Sequence, residues 1–266
     1  GVYQLNPPGD GPFLIVAGGG TYTDEATGQT RTLASRPPLA TLDSSREGAI
    51  SAIVGSGAAG STIPVSLTPL STFAAERTIV ASETDPTALE ESAVEETAEA
   101  VAEEFGITGD PRAITPLDFT DPNDAAAISS DPDSAAAKLG AILAGLSQAA
   151  EDLGLSNPLD LIDALASDLS DGIFNGQADG QPVDLGGTPL SPTAATTDLA
   201  SSTQDFLDDP TVNTSGTTSA DLADLLGDVE TQDVGPPNVN KAPSFSAITD
   251  QTNIFVNSGQ QTVAIA

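Results

Sequence analysis

The sequence predicts an α+β protein on three observations. Short apolar and alternating runs fill residues 1–67, the period turns helical at Thr68 with repeated helix starts, and strand-like runs return after a proline-rich stretch at 233–243. In the first region Val2-Tyr3-Gln4-Leu5 alternates as a short strand, Pro7 to Gly11 is a turn, and Phe13-Leu14-Ile15-Val16-Ala17 is a continuous apolar strand. Thr21-Tyr22-Thr23 and Thr30-Arg31-Thr32-Leu33 flank a hairpin loop, Asp24 to Gln29, closed by Gly28. Strands at Leu39–Leu42, Ala49–Val54 and Thr62–Leu67 complete the region. Its glycines follow neither the G-x-G-x-x-G nor the Walker A spacing that cradles phosphates.

From Thr68 onward an Asp, Asn or Thr stands directly before Pro five times, at Thr68-Pro69, Asp85-Pro86, Asp121-Pro122, Asp131-Pro132 and Asn157-Pro158. The first residue of such a pair accepts orphan N–H groups at a helix start, and Pro at the next position forfeits no hydrogen bond. Segment 86–105 reads as one helix, with Leu89, Ala93, Thr97, Val101 and Phe105 at i+4 spacing and Gly106 as a left-handed cap. Segment 132–153 carries Ala135, Leu139, Ile142, Leu143, Leu146, Ala150 and Leu153 before Gly154, and 158–170 carries Leu161, Ile162, Leu165 and Leu169. Shorter helices are expected over 70–81, 197–207 and 219–228. A hairpin is expected over 171–185, and modest order over the Thr/Ser/Pro-rich stretch 186–218. The resulting division is a β-rich region (1–67), an Ala/Asp-rich helical region (68–232), a linker (233–243) and the start of another β unit (244–266).

Composition excludes several chemistries. The 266 residues hold 7 basic and 39 acidic side chains, so the formal charge is 7 − 39 = −32, and Cys, His, Met and Trp are absent. Triads built on His or Cys, disulfides and nitrogen/sulfur zinc sites are therefore excluded. Nucleic acid and anionic membranes are repelled by such a surface. No apolar run approaches the roughly 20 residues of a spanning helix. A glycosidase reading of paired carboxylates is opposed by the lack of Trp for a sugar platform, and the chain reads as a non-enzyme.

Some segments resemble known families. Gly1-Val2-Tyr3-Gln4-Leu5 resembles the end of a carboxypeptidase-regulatory-like (transthyretin-like) β-sandwich, in which a G-x-Y-x-L strand recurs. Gly20-Thr21-Tyr22-Thr23-Asp24-Glu25-Ala26-Thr27-Gly28, Val65 to Thr72 and Asp171-Gly172-Ile173-Phe174-Asn175-Gly176 are similar to an Ala/Asp-rich module of large bacterial surface and secreted proteins. Asn240 to Pro243 and Asp250-Gln251-Thr252 resemble the start of cadherin-like or Ig-like repeats. The resemblance implies a partial sandwich at the amino-terminal end, the start of an Ig/cadherin-like unit at the other, and an extracellular or cell-surface setting. It carries over no catalytic residue.

Candidate sites follow. Asp171, Asn175, Asp179 and Asp184 lie in a Gly-rich turn region where carboxylates and carbonyls could hold calcium, although the EF-hand spacing is missing. The Glu run (Glu90, Glu91, Glu95, Glu96, Glu99, Glu103, Glu104) reads as a solvated helix face. Lys241 beside Asn238 and Asn240 reads as a linker lysine, and Asn213-Thr214-Ser215 is a glycosylation sequon. The strand at 260–266 stops in mid-pattern, so the chain reads as a piece of a longer protein or a processed subunit. Val2, Tyr3, Leu5, Val263 and Ile265 are then the assembly strands. Their unpaired edges would complete the sheet of another copy, giving a homopolymer, or would pair with neighbouring domains of a longer chain. The expected function is a structural or adhesive filament subunit working by β-strand addition. The alternative is a calcium-dependent module that binds a ligand or surface.

Overall fold

A computed structural model describes residues 2–5, 12–33, 48–55, 63–169, 172–178, 180–231, 252–257 and 263–265. These residues form an α+β fold in which helices outweigh small sheets. The strand expected at 39–42, the Pro-rich linker, Lys241 with its neighbouring asparagines, Asp171 and Asp179 lie outside the described residues.

Strand β1 (Val2–Leu5) is followed by β2 (Phe13–Gly18), the hairpin β3 (Thr21–Thr23) with β4 (Thr30–Thr32), then β5 (Ile50–Val54) and β6 (Ile63–Ser66). β1 pairs antiparallel with β6, Tyr3 facing Val65. β2 pairs antiparallel with β5, Ile15 facing Ala52. Its five apolar residues are at most 3% exposed because the sheet is covered on both sides. Phe13, Ile15 and Ala17 enter the main core, while Leu14 and Val16 enter a smaller one with Ile53, Ala75, Ile79, Leu89 and Val94. A strand covered on both faces reads as continuous rather than alternating, as this one does.

Helix α1 (Pro69–Thr84) is longer than the 70–81 expected. A capping box starts it: Ser71 N–H donates to Thr68 Oγ1 (3.2 Å) and Thr68 N–H to Ser71 Oγ (2.9 Å). The segment expected as one helix over 86–105 is divided. A 3₁₀ turn, Pro86–Leu89, is capped by Asp85, Glu90 is extended (ψ 149°), and α2 is Glu91–Glu104. The break resets the register, so α2 buries Val94, Ala98, Val101 and Ala102, and Ala93 and Thr97 stay half-buried. α3 (Ala125–Ser130) and α4 (Ala135–Asp152) start later than their Asp-Pro pairs. Asp121 Oδ1 closes a turn onto Asn123 N–H, and Asp131 is followed by a turn that delivers Ser134 as the cap of α4. Asn157-Pro158 starts α5 (Pro158–Asp168) as read. α2 and α4 stop at Gly106 (φ 66°) and Gly154 (φ 69°) in Schellman motifs, with Ile107 N–H on Ala102 O and Leu155 N–H on Ala150 O.

The hairpin expected over 171–185 is two short ladders, β7 (Gln177–Ala178) with β8 (Gln181–Pro182) and β9 (Asp184–Leu185) with β10 (Thr188–Pro189). The stretch 186–218 departs from its expected modest order. Beside α6 (Thr197–Asp208), where a helix was expected over 197–207, it carries β10 and a loop whose Asn213, Ser215 and Thr217 are buried. Its polar side chains supply the backbone hydrogen bonds that a ladder would otherwise provide. α7 (Ala223–Glu230) follows, displaced from 219–228. β11 (Thr252–Asn257) lies parallel to β2, with Ile254 opposite Ile15, and β12 (Val263–Ile265) pairs antiparallel with β11. The sheet order is β12-β11-β2-β5.

The main core runs from Phe13 to Val229, so the boundary at 67/68 marks a change of period and not of packing. At its centre Phe73, Phe105 and Phe174 meet with ring centroids 5.7–6.0 Å apart. α4 packs against α5 and α6, and its two glycines admit neighbours. A Cβ at Gly145 would lie 1.9 Å from Thr203 Oγ1 of α6, and one at Gly140 would lie 2.0 Å from Leu117 O. Gly145→Ala therefore gains helix propensity of about 1 kcal/mol yet forces α6 outward. The expected net effect on a chemical-denaturation curve is destabilisation by about 1–3 kcal/mol. Ala at Gly227, where nothing lies within 4 Å, is the control that keeps its propensity gain.

Candidate functional site

The β3–β4 hairpin folds down onto α4 and α5 because three of its groups find partners there. Tyr22 Oη donates to Asn157 Oδ1 (3.0 Å), the residue that also caps α5. Ala26 N–H donates to Ser147 Oγ (3.1 Å), and Ser147 Oγ donates in turn to Asp24 Oδ1. Asp24 is 3% exposed. Its other oxygen accepts from Thr27 Oγ1 (2.8 Å) and Arg31 Nε (3.1 Å). Burial alone would raise its pKa, but the hydrogen bonds from Ser147, Thr27 and Arg31 and the Arg31 charge outweigh that, and the pKa is lowered. Tyr22 is pushed up to about 12 by burial, and by the charge of Asp24.

Beneath the hairpin lies a cavity of about 450 Å³, walled mainly by apolar side chains such as Leu33, Leu143, Leu146, Leu159 and Ile162. That size falls within the range of small-ligand pockets. Glu25 lines it together with Asp24 and Asp118. The residue keeps partial exposure, yet its Oε2 is out of contact with solvent and has no hydrogen-bond partner. The surroundings of the carboxyl set its titration. Burial, then the Asp118 and Asp24 charges, push Glu25 up to about 8. Asp118 is itself engaged, its Oδ1 accepting from Thr120 N–H (2.7 Å) and Thr120 Oγ1 (2.6 Å). The cavity thus offers one proton-bearing carboxyl without a partner in an apolar wall.

This site was not legible in the sequence. Strand alternation puts Tyr22 and Asp24 on one face and Glu25 on the other. The turn that closes with Gly28 N–H on Asp24 O (2.7 Å) undoes that parity.

The residues singled out for calcium are engaged in turns. Asn175 Oδ1 accepts from Gln177 N–H (2.9 Å), and the exposed Asp184 accepts from Gly187 N–H (3.1 Å). Among the described residues no three acidic side chains cluster as a metal site. The expected assembly strands each have one side paired within the chain: Val2 faces Ser66, Tyr3 faces Val65, Leu5 faces Ile63, Val263 faces Val256 and Ile265 faces Ile254. Six of the seven Glu of the α2 region are exposed. The seventh, Glu104, pairs with Arg77 at 2.6 Å while its Oε2 is buried without a partner. Burial raises Glu104, and Arg77 opposes that shift. No helix among the described residues is long and apolar enough to cross a membrane. The chain matches no known family, and no curated protein or solved structure is similar to it.

The Glu25 carboxyl has a higher pKa folded than the ordinary 4.5. Its contribution to stability is therefore complete below pH 4.5 and is lost as pH rises to about 8, where the unfolded chain ionises first. Glu25→Gln should flatten that slope. It should also stabilise the protein at pH 8 by a few kcal/mol, since each tenfold change in proton affinity is worth about 1.4 kcal/mol. Urea melts of both proteins at pH 5 and pH 8 measure it.

Asn213 is 5% exposed, and its amide nitrogen donates to Leu207 O and Thr217 O, both at 2.7 Å. Its Oδ1 accepts from Ser215 N–H and Ser215 Oγ. Both hydrogens of the nitrogen that would carry a glycan are thus occupied. In a glycosylating host the folded chain should keep its unmodified mass. Asn213→Ala should cost about 2–4 kcal/mol through the unpaired groups it leaves.

Proposed function

We propose that the chain is a non-enzymatic structural or adhesive module of an extracellular or cell-surface protein, whose copies are joined by exchange of the β11–β12 hairpin. The observation behind this reading is the seat of β11, which runs parallel to the apolar strand β2 across six register pairs from Thr252↔Phe13 to Asn257↔Gly18. Twenty-one residues, 231–251, separate α7 from β11 in sequence. Extended, such a stretch spans up to about 70 Å. The same register is therefore available to a strand from the same copy or from a neighbour, and a non-closing exchange propagates as a filament. β12, with Val263 and Ile265, forms one outer edge of this sheet, and β1, with Val2, Tyr3 and Leu5, lies in a separate two-stranded ladder.

Charge fits the same reading. A net −32 opposes non-specific association, so contact between copies falls to a geometrically specific pairing. The resemblance of 1–5 to the end of a transthyretin-like sandwich, and of the residues after Asn240 to the start of cadherin- or Ig-like repeats, supports the surface setting. The cavity supports binding rather than turnover, because Asp24 and Asp118, which share its wall with Glu25, already hold hydrogen-bond partners.

Removal of 243–266 tests the proposal. The truncated chain should lose all assembly in light scattering and negative-stain images while keeping its helical circular dichroism, and a synthetic peptide of 244–266 should bind it. Persistence of filaments after the deletion, or a full-length chain that stays monomeric at high concentration, would overturn it.

A further inference from the structure

The cavity beneath the β3–β4 hairpin poses a separate question. Its wall is largely apolar, yet it contains a carboxyl oxygen, Glu25 Oε2, that is out of contact with solvent and has no protein hydrogen-bond partner. A buried polar atom in that condition costs free energy unless something completes it. The groups that face Glu25 are Asp24 on the same hairpin, with Arg31 bound to it, Asp118 on the segment before α3, and Tyr22, whose hydroxyl is turned to Asn157. Arg31 is held by Asp24, so among the described residues the charged groups around the Glu25 carboxyl are the carboxylates of Asp24 and Asp118, with no cation of its own. An anionic ligand would be repelled by this wall. A neutral ligand would leave the Asp118 charge without a cation, whereas Asp24 is already paired with Arg31.

We propose that this cavity binds a primary ammonium group carried on an apolar chain, with Glu25 as its anchor. An ammonium supplies three donors, enough for Oε2 and for the free lone pairs of the carboxylates beside it. Its alkyl portion occupies the space bounded by Leu143, Leu146, Leu159 and Ile162. The overall negative field raises the local concentration of such cations. Binding ionises Glu25 and releases its proton to solvent. At pH 7 that proton is mostly in place, so ionisation reduces the apparent affinity about tenfold relative to pH 9. Free alkylamines and lysine side chains present the same chemistry.

Calorimetry on the full chain decides the matter, with hexylamine, 1-hexanol, hexanoate and a blocked peptide containing a single lysine as probes. The expected result is hexylamine binding that strengthens about tenfold from pH 7 to pH 9. Close to one proton should be released at pH 7, measured in buffers of different ionisation enthalpy, and hexanol and hexanoate should bind at least tenfold more weakly. Binding by the peptide as well extends the proposal to lysine side chains, and binding by hexylamine alone restricts it to free amines. Glu25→Gln should remove the pH dependence and most of the affinity at pH 9, and Asp118→Asn should give a smaller loss with proton release retained. Hexanol binding as tightly as hexylamine, affinity that is flat or falls with pH, or no binding by either amine would overturn the proposal. Since the cavity is built from residues before 170, hexylamine binding by the full chain is read whether or not copies assemble, which keeps this test independent of assembly.

Discussion

Strand β2 is the constraint around which the rest is arranged. Its residues Phe13 to Ala17 alternate between two cores and leave no face for solvent. Its backbone N–H and C=O groups are as buried as its side chains and require partners on both edges. β5 supplies one edge by antiparallel pairing. The other is supplied by β11, which comes from the far end of the chain and runs parallel. Parallel neighbours cannot be joined by a hairpin, so a long crossover must lie between them. In this protein the helical region occupies that stretch of sequence.

The helical region in turn depends on close approach more than on bulk. Few aromatic residues are present; Phe73, Phe105 and Phe174 meet as one group, while Phe13, Phe119 and Phe206 are buried apart from it. Elsewhere alanine and glycine let helices come near one another, as at Gly145 against Thr203. Small residues make such a core sensitive to added volume, since a packed interior cannot yield locally without moving an element.

Asp24 and Glu25 show how far environment separates chemically similar neighbours. Asp24 meets Ser147, Thr27 and Arg31 and becomes a structural carboxylate that ties the hairpin to α4. Glu25, one residue later, meets an apolar wall and two negative charges and holds its proton. The first device fixes the hairpin over the helices, and the second gives the enclosed space a chemical preference. The assembly proposed through β11 and the recognition proposed for the cavity thus rest on separate parts of one fold.

Periodicity and capping chemistry were legible in the sequence because they are local. The apolar run at β2, the hairpin about Gly28, the starts of α1 and α5 at Thr68 and Asn157, and the glycine stops of α2 and α4 each rest on a few neighbouring residues. The misplaced helix starts had the same origin. Asp121-Pro122 and Asp131-Pro132 satisfy a turn as well as a helix cap, and only the packing of α3 and α4 selects the turn. Within 186–218 the helix α6 was legible, but the order of the loop after it was not, since a polar loop folds only when Asn213 finds Leu207 and Thr217 across it. By itself, then, the sequence determined the α+β class, most of the elements and the acidic charge. The tertiary structure alone decided the pairing of β11 with β2 and the burial of Glu25. Both join residues distant in sequence, and their partners are chosen by which surfaces the packed helices leave free.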